Sequence, residues 1–118
     1  MNSASGRQPG ERLRVSSTAA DSGTVVTVTV TGEMDHVSAC RLTDEVRAAV
    51  LSGARRVETD FSRVTFCDCS GLNVLLAARS HCRDLGVCFS VSGPLTPPVA
   101  RLFLLAGIGA PLLTSQSA

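Results

Sequence analysis

The sequence predicts a single α/β domain: a mixed, mostly parallel β-sheet of four to five strands with α-helices packed on it. Three observations lead there. The run Thr-Val-Val-Thr-Val-Thr-Val at 24–30 is β-branched throughout and alternates Val26, Val28 and Val30 on one side, as a half-buried strand does. Beyond it, strand-type and helix-type periodicities alternate in the order β-β-α-β-α-β-α, and that alternation joins parallel strands through helical crossovers after an initial hairpin. The length of 118 residues suits one hydrophobic core.

Residues 1–10 are small and polar. They bury too little to offset the entropy of ordering, so a flexible arm is expected there and the domain is placed at 11–114. Glu11 to Ser16 alternates Leu13 and Val15 with polar residues and reads as the first strand. Asp21-Ser22-Gly23 signals a turn, so the first two strands should pair as an antiparallel hairpin. After Thr31-Gly32-Glu33-Met34-Asp35, the residues Leu42, Val46, Ala49 and Val50 fall on one helical face. Asp35 or Ser38 would cap that helix, and Gly53 would end it. Arg55 to Phe61 is the next strand, with Val57, Thr59 and Phe61 on one side and Asp60 expected as a hydrogen-bond acceptor near its end. Ser62-Arg63 reads as a short turn into Val64-Thr65-Phe66-Cys67.

A helix is expected from about Gly71 to Asp84, closed by Gly86. Its broad face, Val74, Leu75, Ala78, Cys82 and Leu85, should lie on the sheet, and a narrower stripe of Leu72, Leu76, Arg79 and Arg83 is offset from it. Val87 to Val91 is a further strand. Thr96 caps a last helix with Pro97 and Pro98 in its first turn, Val99, Leu102, Phe103 and Ala106 facing inward, and Gly107 closing it. Ala110 to Thr114 has the composition of a short final strand, which is the difference between four strands and five, and 115–118 is a tail.

Composition removes several function classes. No apolar run approaches the roughly 18–20 residues of a membrane span, and the polar N-terminus lacks an apolar signal region, so a soluble, cytoplasmic protein away from membranes is expected. The net charge is +1, the basic residues are scattered, and the only aromatic residues are four Phe, so nucleic acid is not an expected partner. The five cysteines, Cys40, Cys67, Cys69, Cys82 and Cys88, are odd in number, which argues against a disulfide framework. Cys67-x-Cys69 is half of a metal pattern, but His36 and His81 do not complete it, so no metal is expected and the cysteines read as small apolar residues.

The chemistry concentrates in Phe66-Cys67-Asp68-Cys69-Ser70-Gly71-Leu72. A strand stops at an acid, a serine and a glycine follow, and a helix opens. Free N–H groups and the positive end of the helix dipole favour negative charge at such a place. A nucleophilic Ser70 would need a base and an orienting acid. The segment is not a G-x-S-x-G elbow, because residue 68 is Asp, and His81 lies eleven residues on. That distance is about 16 Å along a helix. No P-loop or dinucleotide fingerprint is present, so neither catalysis nor a cofactor is expected, although a small hydrolase built on Ser70 remains a formal alternative. On the residues alone two readings stay open. Ser70 is a helix cap, or it accepts a phosphoryl group whose nearly two negative charges change which surface can dock there.

The chain resembles the STAS family, specifically the bacterial anti-sigma factor antagonists, over nearly all of 11–114. The resemblance rests on three motifs in order: Val30-Thr31-Gly32-Glu33-Met34-Asp35, like the family's Gly-Glu-Leu/Ile-Asp after the second strand; Thr59-Asp60-Phe61-Ser62-Arg63-Val64-Thr65-Phe66, like its apolar-Asp-Leu-Ser-x-Val-x-Phe; and Asp68-Cys69-Ser70-Gly71-Leu72, like its Asp-Ser-Ser/Thr-Gly-Leu. It implies that Ser70 is phosphorylated by an anti-sigma factor acting as an ATP-dependent serine kinase. The unphosphorylated form would bind that factor and release the sigma factor, and a phosphatase would restore it. Asp35 and Asp68 match acids flanking the same surface. The expected partner-binding set is Asp35, Asp68, Cys69, Ser70, Gly71, Leu72, Leu76 and Arg79. Cys69 departs from the family's usual Ser and raises the question of redox modulation beside the acceptor. The stripe from Leu72 to Arg83 suits an interface and equally suits a wide core face with Arg stems lying along it. Within the same family, the alternative is a scaffold or transport-system subunit that is never phosphorylated.

Overall fold

The run of alternating valines forms an interior strand of the sheet in a computed structural model, which describes residues 13–106 with the exception of His36. The expected arm at 1–10, Gly107, the short strand at 110–114 and the tail at 115–118 lie outside the described residues. In chain order the elements are β1 (Leu13–Ala20), β2 (Val25–Met34), α1 (Cys40–Leu51), β3 (Arg56–Cys67), α2 (Cys69–Asp84), β4 (Cys88–Ser92) and α3 (Pro97–Leu105). The sheet order is β1-β2-β3-β4. The hairpin of β1 and β2 is antiparallel, and β2, β3 and β4 run parallel to one another. The fold class is the expected one, with four strands among the described residues.

Register shows why one face is buried. Val26 stands opposite Val57, which stands opposite Phe89; Val28 stands opposite Thr59, which stands opposite Val91. Residues opposed in register project to the same side. These rows are buried under Leu42, Val46 and Ala49 of α1, Leu75, Ala78 and Cys82 of α2, and Val99 and Phe103 of α3. Phe103 meets Phe61 with ring centroids 6.4 Å apart. The other face of the sheet carries Thr27, Thr29, Glu58 and Asp60, all half-buried. No helix among the described residues is long and apolar enough to cross a membrane.

Four details differ from expectation. Ser62-Arg63 is not a turn, since β3 runs unbroken over twelve residues. Its register against β2 jumps from Thr29–Asp60 to Thr31–Arg63, and again from Gly32–Val64 to Glu33–Phe66. These are bulges, and the Asp60 carboxylate holds the first by accepting from the Ser62 N–H (2.9 Å) and hydroxyl (2.7 Å). Second, α2 opens at Cys69, two residues early, and its buried stripe is Gly71, Leu72, Leu75, Ala78 and Cys82, while Leu85 is exposed. Third, the Thr96 hydroxyl does not cap α3; it donates to the Val64 carbonyl (2.7 Å) and ties the start of that helix to β3. Fourth, Ala106 is exposed rather than inward-facing.

The parallel pairing of β2 and β3 sets up the site. Met34 and Cys67 are register partners at the carboxyl ends of the two strands, so Asp35 and Asp68 leave the sheet side by side. In open α/β sheets this end, between the loops that follow parallel strands, is where functional groups gather.

Candidate functional site

The turn from β3 into α2 is pinned by backbone before any side chain acts. The Asp68 N–H donates to the Met34 carbonyl across the strand ends (3.2 Å). Asp68 is extended (φ −100°, ψ −175°), its carbonyl accepts the Leu72 N–H (3.0 Å), and its carboxylate accepts the Gly71 N–H (2.9 Å). It is therefore the N-cap of α2. Ser70 sits two residues inside that cap, half-buried, and its hydroxyl makes no hydrogen bond among the described residues. The capping role considered for Ser70 belongs to Asp68. The N–H groups of Cys69 and Ser70 have no intrahelical acceptor and remain at the positive end of the helix dipole.

Gly71 is required by close packing. A Cβ there would come within 2.9 Å of Cys67 Sγ and of Met34 Cγ and Sδ. Met34 and Cys67 are themselves buried, so the first turn of α2 presses directly onto the two strand ends. Burial, reinforced by the neighbouring Asp68 and Cys69, pushes the Cys67 thiol up to about 12. Cys67 is thus a neutral packing group, whereas Cys69, one residue past the cap, is exposed. Among the described residues no three His, Cys, Asp or Glu side chains gather as a metal site would need.

Asp35 organises the companion turn. Its Oδ1 accepts from the Val37 N–H and the Ser38 N–H, both at 3.0 Å. The Ser38 hydroxyl lies 3.0 Å from the same oxygen and accepts the Asp35 N–H at 3.1 Å. Both residues expected to cap α1 are used, but in the turn preceding the helix, because α1 itself opens at Cys40. The acid holds its loop directly after Met34, the register partner of Cys67 at the strand ends.

The remaining members of the expected contact set separate. Leu72 is 5% exposed and lies under the helix, so the core reading describes it and the surface reading does not. Leu76 and Arg79 are half-buried, and Arg83 is exposed. The outward face of α2 in line with Ser70 carries instead Asn73 and Ala77, both exposed, and half-buried His81. Two apolar residues at the same end of the sheet were missed: Val37, 70% exposed, and Phe66, 46% exposed. Val37 was findable as an apolar residue in a loop beside an acid. Phe66 was not, because the second bulge of β3 turns it out of the apolar alternation.

A family model described as Mlab, STAS domain matches residues 17–114 of this chain. Among solved structures, an anti-sigma factor antagonist from Mycobacterium paratuberculosis is 26% identical; the match covers 86% of this chain and 83% of that one, with a TM-score of 0.71. The anti-sigma factor antagonist SpoIIAA in its unphosphorylated form is 18% identical over 88% of this chain and 89% of its own, also with a TM-score of 0.71. The Bacillus cell fate determinant SpoIIAA in its phosphorylated form is 18% identical over 88% and 92%, with a TM-score of 0.65. The two SpoIIAA structures share the fold with this chain.

Proposed function

Because this chain belongs to the STAS family, we propose that it is an anti-sigma factor antagonist whose binding is switched by phosphorylation of Ser70. Unphosphorylated, it binds a cognate anti-sigma factor and frees the sigma factor. That factor, a serine kinase using ATP, phosphorylates Ser70 and so ends the binding, and a phosphatase reverses the step. The protein acts in the cytoplasm as a binding module without catalysis of its own.

The observation that carries this reading is the unengaged Ser70 hydroxyl. Asp68 performs the capping, so Ser70 is placed at the helix amino end without a structural task. A phosphate there gains the dipole and the free N–H groups of the first turn, which keeps the fold intact. It also adds nearly two negative charges next to Asp68 and Asp35, so a surface that accepted those acids now meets a far more negative patch. SpoIIAA, which shares this fold, is described in both phosphorylated and unphosphorylated forms. The partner surface on this reading is Ser70 and Cys69, with Asp35 and Asp68 at its edge and Leu76 and Arg79 along α2; buried Gly71 and Leu72 support it from below.

Incubation with the cognate kinase and ATP tests the reading. Wild type should take up one phosphate and Ser70→Ala none. Ser70→Asp should lose capture of the anti-sigma factor while its circular dichroism matches wild type. Equal phosphate uptake by Ser70→Ala refutes the site. No uptake by a wild type that still captures its partner would move the chain to the family's non-phosphorylated scaffold or transport-system role.

A further inference from the structure

Below Ser70, the two central helices do not close against each other. Thr43, Val46 and Arg47 of α1 face Ala77, Ala78 and His81 of α2 across a cleft of about 80 Å³. Small residues at 77 and 78 make the gap. Its floor is apolar, with Val46 and Ala78 buried. Its rim is cationic and polar: exposed Arg47, with half-buried His81 and Thr43. Asp44 and Asp84 lie one helical turn from Arg47 and His81 on the same helices, yet neither Arg47 nor His81 forms an ion pair or hydrogen bond among the described residues. A guanidinium at the mouth of a short apolar cleft fits a carboxylate carried on a short aliphatic stem. The volume suits one side chain and falls well below the roughly 300–1,000 Å³ of a small-molecule site.

Position says whose side chain it is. Ala77 and His81 are seven and eleven residues beyond Ser70. At 100° per residue both stand within about 20° of its azimuth, at about 10 and 16 Å along α2. A surface laid on Ser70 along this helix covers the cleft as well.

We infer that the α1–α2 cleft receives an Asp or Glu side chain from the protein that docks over Ser70, its carboxylate meeting Arg47 and His81. The inference rests on reading the Ser70 face as a partner surface, and it deepens that reading.

The test needs no kinase. The whole chain is titrated with N-acetyl-glutamate methylamide and, separately, with its glutamine analogue, followed by amide ¹H–¹⁵N spectra. Saturable shifts confined to residues 43–47 and 77–81, at least tenfold weaker with the glutamine probe, are expected. Arg47→Ala should weaken glutamate binding at least tenfold, and Arg101→Ala, exposed on α3, should leave it unchanged. Shifts equal for the two probes, spread over all arginines, or insensitive to Arg47→Ala overturn the inference. Phosphate uptake at Ser70 without glutamate binding would sink the cleft and keep the switch; glutamate binding without phosphate uptake would keep the cleft and sink the switch.

Discussion

Replacing Asp68 by Ala removes the carboxylate oxygen that accepts the Gly71 N–H at 2.9 Å. Loss of an Asp N-cap costs about 1 kcal/mol, within a range of roughly 0.5–2. The upper half of that range applies here. Gly71 is buried against Met34 and Cys67, so water replaces the lost acceptor poorly, and the favourable charge at the helix amino end goes with it. Ser70→Ala removes a hydroxyl with no hydrogen bond and places a better helix former inside the helix, so its effect should stay within about 0.5 kcal/mol of zero. For a domain of this size 1 kcal/mol moves the melting temperature by roughly 4–5 °C. Urea and thermal unfolding followed by far-ultraviolet circular dichroism should therefore show Asp68→Ala melting several degrees low and Ser70→Ala melting with wild type. Asp68→Asn, which keeps a capping oxygen, should recover most of the loss. A Ser70→Ala deficit equal to or larger than that of Asp68→Ala would refute the division of labour at this turn.

Four further outcomes are expected. Gly71→Ala should destabilise by about 1–3 kcal/mol in urea unfolding, because crowding against Met34 and Cys67 outweighs the gain in helix propensity; wild-type stability would show that those side chains move aside freely. Thr59→Val should be neutral or stabilising by up to about 1 kcal/mol, since the buried Thr59 hydroxyl has no hydrogen-bond partner among the described residues; a clear loss would reveal one. Under native conditions a thiol reagent should modify Cys40, Cys69 and Cys88 quickly and spare Cys67 and Cys82 until the chain unfolds. Burial holds those two thiols at about 12 and about 11, above an unfolded thiol near 8.5, so the folded state keeps protons that the unfolded state gives up. Their contribution is complete below about pH 8.5 and declines as the pH rises toward 11–12. The chain has no Lys and no Tyr to titrate in that window, so a urea midpoint that stayed flat from pH 8 to 10.5 would contradict the burial of both thiols.

What local pattern controls was legible before the structure. The alternation of Val26, Val28 and Val30 and the helical spacing of Leu42, Val46 and Ala49 each report on one neighbouring surface, and all six residues are buried. What depends on a distant partner was not. Asp68 and Ser70 are both good capping residues, and nothing within the pentapeptide chooses between them. The choice is made by the Met34 carbonyl, thirty-four residues earlier, which holds the Asp68 N–H and fixes where the helix begins. Leu72 reads equally well as surface or core until the direction of the sheet is known. The bulges in β3 leave only a faint trace, an acid two residues before a serine, and with them went the outward turn of Phe66. The demand for glycine at 71 was visible as a motif, but its cause, two strand-end side chains lying where a Cβ would go, is purely three-dimensional.

Asp68 holds the helix and Ser70 holds nothing, and this has a consequence for how such a chain varies. A mutation at codon 68 disturbs folding and the charge of the surface together, so it is exposed to every form of quality control that monitors stability. A change such as Ser70→Ala, expected to be neutral for stability, escapes them. It leaves a well-folded protein at normal abundance that has lost the residue proposed to carry its state. Position 70 is thus free to lose its hydroxyl in one generation and regain it in another without passing through an unstable intermediate.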